Sequence, residues 1–249
     1  ELDRCSENSM YAINKYYYHQ FPGAVSGKSK LFMTDYYEHQ RIICFLFDCG
    51  YSLFVGKPRQ FGGTTLFGAL SVNRLLSRPN YFIKFITEDD KKGREIFEDK
   101  IKFAFYSLPK WYIPQTDGKP DVINDRDNLF KLGRKEGKGS TEGLNSKMSV
   151  VAPTKTAING GTPPLVLVDE IGSIDILSEM INEGRPTMFI RDPVTGKMEL
   201  KNQVVGWGTG TTSKGGAAFE KEFRKAMTAW KAGDYSYGFI PLFFDWTTR

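Results

Sequence analysis

Apolar positions along the chain fall into two rhythms, one of helical spacing and one of short unbroken runs. TDYYEHQRIICFLFDCG, from Thr34 to Gly50, repeats its apolar residues at helical spacing. Thr34 or Asp35 can cap that helix and Gly50 can end it. YSLFV at 51–55 is continuously apolar, which predicts a short buried strand. GKPRQFGGTT follows as a Gly-rich turn. LFGALSVNRLL then predicts an amphipathic helix that stops before Pro79. YFIKFIT at 81–87 predicts a second strand. EDDKKGREIFEDKIKFAFYSL predicts one helix, with acids in its first turn and Pro109 as its stop.

Between Trp111 and Pro164 the chain turns to Gly, Pro and polar residues, with short antiparallel strands expected at NLFKLG and KMSVVAP. PLVLVDE is the next core strand, with a helix expected over IDILSEMINE. TMFIRDPVTGKMEL predicts a hairpin turning over Pro193 to Gly196. QVVGWGTGT predicts a strand running into a Gly/Thr loop, and GGAAFEKEFRKAMTAWKAG a helix that Gly233 can end. YGFIPLFFDW is apolar again. Strand, Gly loop, helix, strand, helix and further core strands make the rhythm of an α/β layer with a parallel sheet. No internal repeat is visible.

Composition narrows the class. With 25% charged and 40% hydrophobic residues the chain reads as globular. No apolar run approaches the roughly 20 residues that span a bilayer. The polar start, ELDRCSENSM, is unlike a secretory signal and lacks an initiator Met, so a piece of a longer chain is expected. Three cysteines (Cys5, Cys44, Cys49) make no disulfide framework, and with only two histidines (His19, His39) they argue against a zinc site. Net charge is +5, compatible with nucleic acid without indicating it. Lys131, Arg134, Lys135, Lys138, Lys147 and Lys155 face only Glu136 and Glu142 over that stretch, which suits either a solvated loop or a phosphate-backbone contact.

The chemistry concentrates in LVLVDE, Leu165 to Glu170. A carboxylate inside a doubly buried strand costs several kcal/mol without a partner, to order of magnitude. Asp169 and Glu170 are therefore expected at the strand's C-terminal end, where open α/β sheets place ligands. Adjacent acids there suit Mg²⁺ and a water to be activated, as in the Walker B strand of nucleoside triphosphatases. GKPRQFGGTT has the makings of a phosphate loop: a strand before it, Gly-rich backbone, and a helix N-terminus after it. It departs from G-x-x-x-x-G-K-[ST]. In register, Lys57 takes the first Gly position, Gly62 the second, Gly63 the Lys position and Thr64 the Mg²⁺-binding hydroxyl. Lys57 or Arg59 can supply the displaced cation. SGKS at 26–29 and GKGST at 137–141 are decoys, since no core strand delivers them.

With these motifs the chain resembles the ATPase domain of phage large terminases, the DNA-packaging motors. KPRQFGGTT looks like the terminase Walker A, LVLVDE like Walker B, WGTGTTSKGG like the coupling motif, and YEHQRII like the segment that reads adenine. The match runs over roughly residues 35–245. The resemblance implies a P-loop NTPase fold of the ASCE/RecA-like kind, with a mainly parallel central sheet flanked by helices. It implies one ATPase domain over 1–249, with an N-terminal extension over 1–34 and a Gly/Pro-rich, basic insertion over about 111–164. Full-length terminases add a C-terminal nuclease domain, and since this chain ends at Arg249, about where the linker would begin, endonuclease activity is not expected in it. It implies ATP and Mg²⁺ as ligands. Gln40 would bond the adenine edge. Lys57, Pro58, Arg59, Gln60, Phe61, Gly62, Gly63, Thr64 and Thr65 would wrap the phosphates. Thr64 and Asp169 would hold Mg²⁺, Glu170 would polarise the attacking water, and Thr209 and Thr211 would sense the γ-phosphate. Lys57 and Arg59 remain alternatives for the catalytic cation. An arginine finger is expected in this class, and Arg59, Arg74, Arg94 and Arg134 all stay open for it, in cis or from a neighbour. The implied partners are double-stranded DNA, portal protein, small terminase subunit and further copies in a ring, in the host cytoplasm and with no membrane. A superfamily-2 helicase-like motor and a non-hydrolysing nucleotide-binding module are the rival readings.

Overall fold

The computed structural model describes residues 1–20, 29–31, 38–59, 61–136, 140–191, 193–194 and 198–245. Eight strands join in one hydrogen-bonded series: β1 (Ser52–Gly56), β2 (Phe82–Ile86), β3 (Val122–Asp125), β4 (Leu129–Leu132), β5 (Lys147–Val151), β6 (Leu165–Val168), β7 (Gln203–Gly208) and β8 (Phe239–Phe243). Their order is β8-β1-β7-β6-β2-β5-β4-β3. β6, β7, β1 and β8 pair in parallel, with Leu165 opposite Gln203 and with Leu53 opposite both Val205 and Ile240. β5, β4 and β3 pair antiparallel, as NLFKLG and KMSVVAP predict. The α/β architecture read from the sequence is the one observed.

The helices are α1 (Leu2–Glu7), α2 (Ser9–Tyr16), α3 (Glu38–Asp48), α4 (Gly63–Ser77), α5 (Asp90–Ile96), α6 (Phe103–Tyr106), α7 (Leu177–Met188) and α8 (Lys214–Lys231). The α3 caps expected at Thr34 and Asp35 lie outside the described residues, as does part of the turn expected at Pro193 to Gly196. The flanking hairpin strands, Phe189–Arg191 and Met198–Leu200, do pair antiparallel. The single helix expected over 88–108 is three pieces: α5, a π-helical stretch Phe97–Lys102, and α6. A π turn accommodates an extra residue in the helix. Here it places Phe97, Ile101 and the aliphatic stem of Lys102 inside, while the Lys102 ammonium bonds Glu98 and Asp125. No helix among the described residues is long and apolar enough to cross a membrane.

The chain divides into two compact units. One comprises Glu1–Asp48, Gly62–Ile83 and Arg94–Val150. Its centre is α4, which buries Leu66, Phe67, Leu70, Val72 and Leu75 together with Ser71, Asn73 and Arg74 and so is covered nearly all round rather than on one face. Gly68 on α4 lets the π-helical stretch come close: a Cβ there would lie 3.5 Å from Lys100 Cβ. The other unit comprises Cys49–Phe61, Lys84–Gly93 and Val151–Arg249. Its core joins Phe54, Val166, Val168 and Val204 from the parallel strands to Leu177, Met180 and Ile181 of α7 and to Phe219 and Ala226 of α8. β1, β6 and β7 are buried along their whole lengths, which is why their sequences are mainly apolar, with only Ser52 and Gln203 polar.

Candidate functional site

Parallel register decides which residues meet. Gly56 of β1 is level with Gly208 of β7 and Phe243 of β8, and Val168 of β6 is opposite Gly206. Lys57, Thr209 and the Asp169–Glu170 pair therefore leave the same C-terminal edge. β6 ends at Val168, so both carboxylates lie just past the strand. Asp169 is 1% exposed and its N–H donates to Ile86 O over 2.9 Å. Glu170 adopts φ 45°, ψ 50°, a left-handed conformation that costs a non-glycine residue on the order of 1 kcal/mol. The resulting sharp turn aims its carboxylate at Lys57. Lys57 Nζ donates to Glu170 Oε1 over 2.8 Å, and the two side chains are 6% and 27% exposed. The Lys57 N–H is held by Gly208 O at 3.0 Å, and the Thr209 N–H donates to Glu170 Oε2 at 3.4 Å. β7, ordered between β1 and β6, thus supplies the floor across which the lysine and glutamate meet.

The loop after β7 is fitted to the turn after β6 through glycines. A Cβ on Gly208 would lie 2.9 Å from both Ile171 N and Gly172 N. A Cβ on Gly172 would collide with Thr209 O, and one on Gly216 with Thr211 O. Thr211 Oγ1 donates to Gly172 O over 3.2 Å and pairs with Ser213 Oγ at 2.6 Å. Ser213 in turn caps α8, accepting from the Gly216 N–H at 3.1 Å. Thr209 and Thr211 are therefore bound into the structure that carries Glu170.

The Gly-rich loop delivers α4. Gly62 has φ +79°, a left-handed conformation that suits glycine, and α4 begins at Gly63 with Thr64 and Thr65 half-buried in its first turn. Phe61 anchors the loop by stacking on Phe244, with centroids 5.4 Å apart. Arg59 is exposed, Pro58 is half-buried, and Gln60 lies outside the described residues. Gln40 on α3 is 3% exposed, and a Cβ on Gly62 would sit 3.6 Å from its Nε2. Its Oε1 has no hydrogen-bond partner among the described residues, although a buried amide oxygen ordinarily has one. That orphaned carbonyl beside the loop is the feature a donor on a bound ligand would satisfy.

Other expectations resolve differently. Arg74 is not placed to act as an arginine finger. It is 4% exposed, lies over the Phe47 ring and donates to Phe47 O and Asp48 O, ending α3. Arg94 pairs with Asp127 and Arg134 with Glu142, both at the surface. The decoy SGKS falls largely outside the described residues, and the Ser140 and Thr141 of GKGST belong to a small antiparallel hairpin. Cys44 is buried and its thiol pKa is pushed up by desolvation. No group of three or more His, Cys, Asp or Glu able to hold a metal exists among the described residues. One buried carboxylate, Asp169, falls short of a closed metal cage. It suits Mg²⁺, which keeps waters and shares its ligands with phosphate. Lys92 is a cation near this edge that no local pattern singles out, because its position depends on β2 pairing beside β6.

Among solved structures, the HK97 bacteriophage large terminase aligns over 96% of this chain and 44% of its own, with a TM-score of 0.58 and 12% identity. A mutant of the Thermus phage P74-26 large terminase ATPase domain aligns over 82% and 79%, at 0.50 and 15%. The large terminase of another thermophilic bacteriophage aligns over 85% and 46%, at 0.50 and 10%. The fold is that of the phage large terminase ATPase domain. The chain spans less than half the length of the first and third of these terminases. No protein-family model and no curated protein matches it.

Proposed function

We propose that this terminase-like domain hydrolyses ATP to drive double-stranded viral DNA into a procapsid. The observation that carries the reading is the meeting of Lys57, Glu170 and the Thr209 amide at one edge of parallel strands, beside buried Asp169. Gln40 turns its orphaned Oε1 to the adenine amine. The N–H groups at the start of α4, with Gly62 and Gly63 allowing close approach, take the phosphates. Thr64 and Asp169 are the residues that would hold Mg²⁺. When bound, the metal screens charge developing on the phosphoryl oxygens. Lys57 is favoured over Arg59 as the displaced cation, because it is buried at the edge while Arg59 is exposed. Lys57 exchanges its Glu170 partner for the phosphates, which frees Glu170 to orient and polarise the attacking water. Thr209 and Thr211 register the γ-phosphate and pass its loss to α8. Portal protein, small subunit and neighbouring copies in a ring, acting in the infected host's cytoplasm, complete the motor.

A phosphate-release assay with and without duplex DNA tests the reading. Glu170→Gln is expected to bind ATP yet lose turnover by at least ~100-fold, as removal of a positioned general base does. Wild-type turnover in that variant would remove Glu170 from the chemistry. Lys57→Ala is expected to weaken nucleotide binding more than Arg59→Ala.

A further inference from the structure

β4 and β5 pair so that Lys131 stands directly opposite Lys147. Opposed residues of an antiparallel pair share a face, and two like charges there repel. On the other side of β4, Asn124 of β3 is level with Lys131, just past a shift in register. Lys147 Nζ lies over the ring of Phe82 on β2, 4.5 Å from its centroid. An amide, two ammonium groups and a ring thus form a row across neighbouring strands. The alternate residues Phe130, Leu132, Met148 and Val150 are buried on the opposite face, which turns the row outward. Among the described residues no acid forms an ion pair with Lys131 or Lys147. Asp125 belongs to the inner face, level with Phe130, where Lys102 and Tyr106 bond it. Asp127 pairs with Arg94, and Glu142 with Arg134. Lys119 and Lys135 border a hollow beside Asp121 and Gly133, which extends the basic surface past the start of β3 and the end of β4.

Opposed lysines cost the sheet stability unless an anion lies on them. The acids of this segment are committed elsewhere or stand clear of the row, so the fitting anion is external. We propose that the outer face of β3, β4 and β5, centred on Lys131 and Lys147, holds the phosphate backbone of duplex DNA. That role rests on the DNA-translocation reading and gives it a surface. The bases of a single strand need open aromatic faces to stack on. Phe82, the ring in the row, is half-buried and capped by the Lys147 ammonium, so the row suits phosphate rather than base. Contacts from lysine to phosphate carry no sequence information, as a surface that must pass along any sequence requires.

Fluorescence anisotropy of the nucleotide-free full chain with a random-sequence duplex, over roughly 50 to 200 mM KCl, tests this. Lys131→Gln and Lys147→Gln are each expected to weaken binding about three- to tenfold and to lower the slope of log affinity against log salt by about 1, and together by about 2. Lys131→Arg with Lys147→Arg is expected to match wild type, which separates charge from side-chain packing. Lys221→Gln with Lys231→Gln removes the same charge from exposed positions on α8 and is expected to leave the slope unchanged. An equal slope in wild type and the Lys131/Lys147 glutamine pair overturns the assignment. An equal fall in the α8 pair also overturns it, because net charge alone would then carry binding. Wild type that fails to bind duplex at the lowest salt overturns both this face and the translocation reading. Wild type that binds through these lysines yet releases no phosphate from ATP sinks the ATPase reading and leaves the face standing.

Discussion

Replacing Glu170 by Gln leaves the Lys57 ammonium, 6% exposed, without its counter-charge. A hydrogen bond to a charged group contributes about 1.5–3 kcal/mol, and a stranded buried charge costs at least as much. Glu170 is 27% exposed, so water recovers part of the loss and the lower half of that range applies. The expected penalty for Glu170→Gln without nucleotide is about 2 kcal/mol, or a fall in Tm of roughly 4–8 °C for a domain of this size. Lys57→Met keeps the buried aliphatic stem and leaves a carboxylate that still reaches water and the Thr209 amide, so it should lose less. A double-mutant cycle measured by urea denaturation isolates the pair, with an expected coupling of about 1–2 kcal/mol in the free protein. With a saturating non-hydrolysable ATP analogue the coupling should fall below about 0.5 kcal/mol, because Lys57 has changed partners. If the double variant's loss equals the sum of the single losses in the free protein, the ion pair contributes nothing and the partner-exchange argument fails.

Three further outcomes follow from the same geometry. Gly208→Ala puts a methyl group 2.9 Å from two backbone nitrogens and should cost about 1–3 kcal/mol, while Gly210→Ala, with nothing within 4 Å, should melt within about 1 °C of wild type. Gln40→Leu removes a buried carbonyl with no partner among the described residues, so calorimetry should find the free protein at least as stable while ATP binds about tenfold more weakly; unchanged affinity would take Gln40 out of the adenine site. Glu222 is buried against its pKa, yet bonds from Lys225, Tyr237 and Ser178 bring the value below the ordinary carboxylate one. Its stabilising effect should therefore be complete above the unfolded value near 4.5 and be lost as pH falls through the folded value, so Glu222→Gln should flatten the acid limb of stability against pH.

Local chemistry was legible where one strong cost dominated. LVLVDE announces both a buried strand and its end, because desolvating Asp169 within the strand would be prohibitive. The α4 start is legible in Gly62, whose left-handed backbone suits glycine. What depends on non-local pairing was not legible. Nothing in QVVGWGTGT says that it lies between β1 and β6, yet that order brings Lys57 to Glu170 across 113 residues of chain. The choice between Lys57 and Arg59 stayed open in the sequence because burial separates them and spacing does not. Arg74 looked available because a helical arginine is usually on the surface; only packing on Phe47 reveals its capping role. The π-helical stretch escaped because apolar periodicity does not report an inserted turn.

Gly172, Gly208 and Gly216 leave backbone facing backbone where the turn carrying Glu170 meets the entry to α8. Side chains at such a seam would act as springs, absorbing a small displacement by changing rotamer. Bare backbone has no such slack. The joint is like a gear cut with little backlash, leaving little room between the turn carrying Glu170 and the first turn of α8 to absorb a displacement. Its sensitivity to a single methyl group is the counterpart of that stiffness.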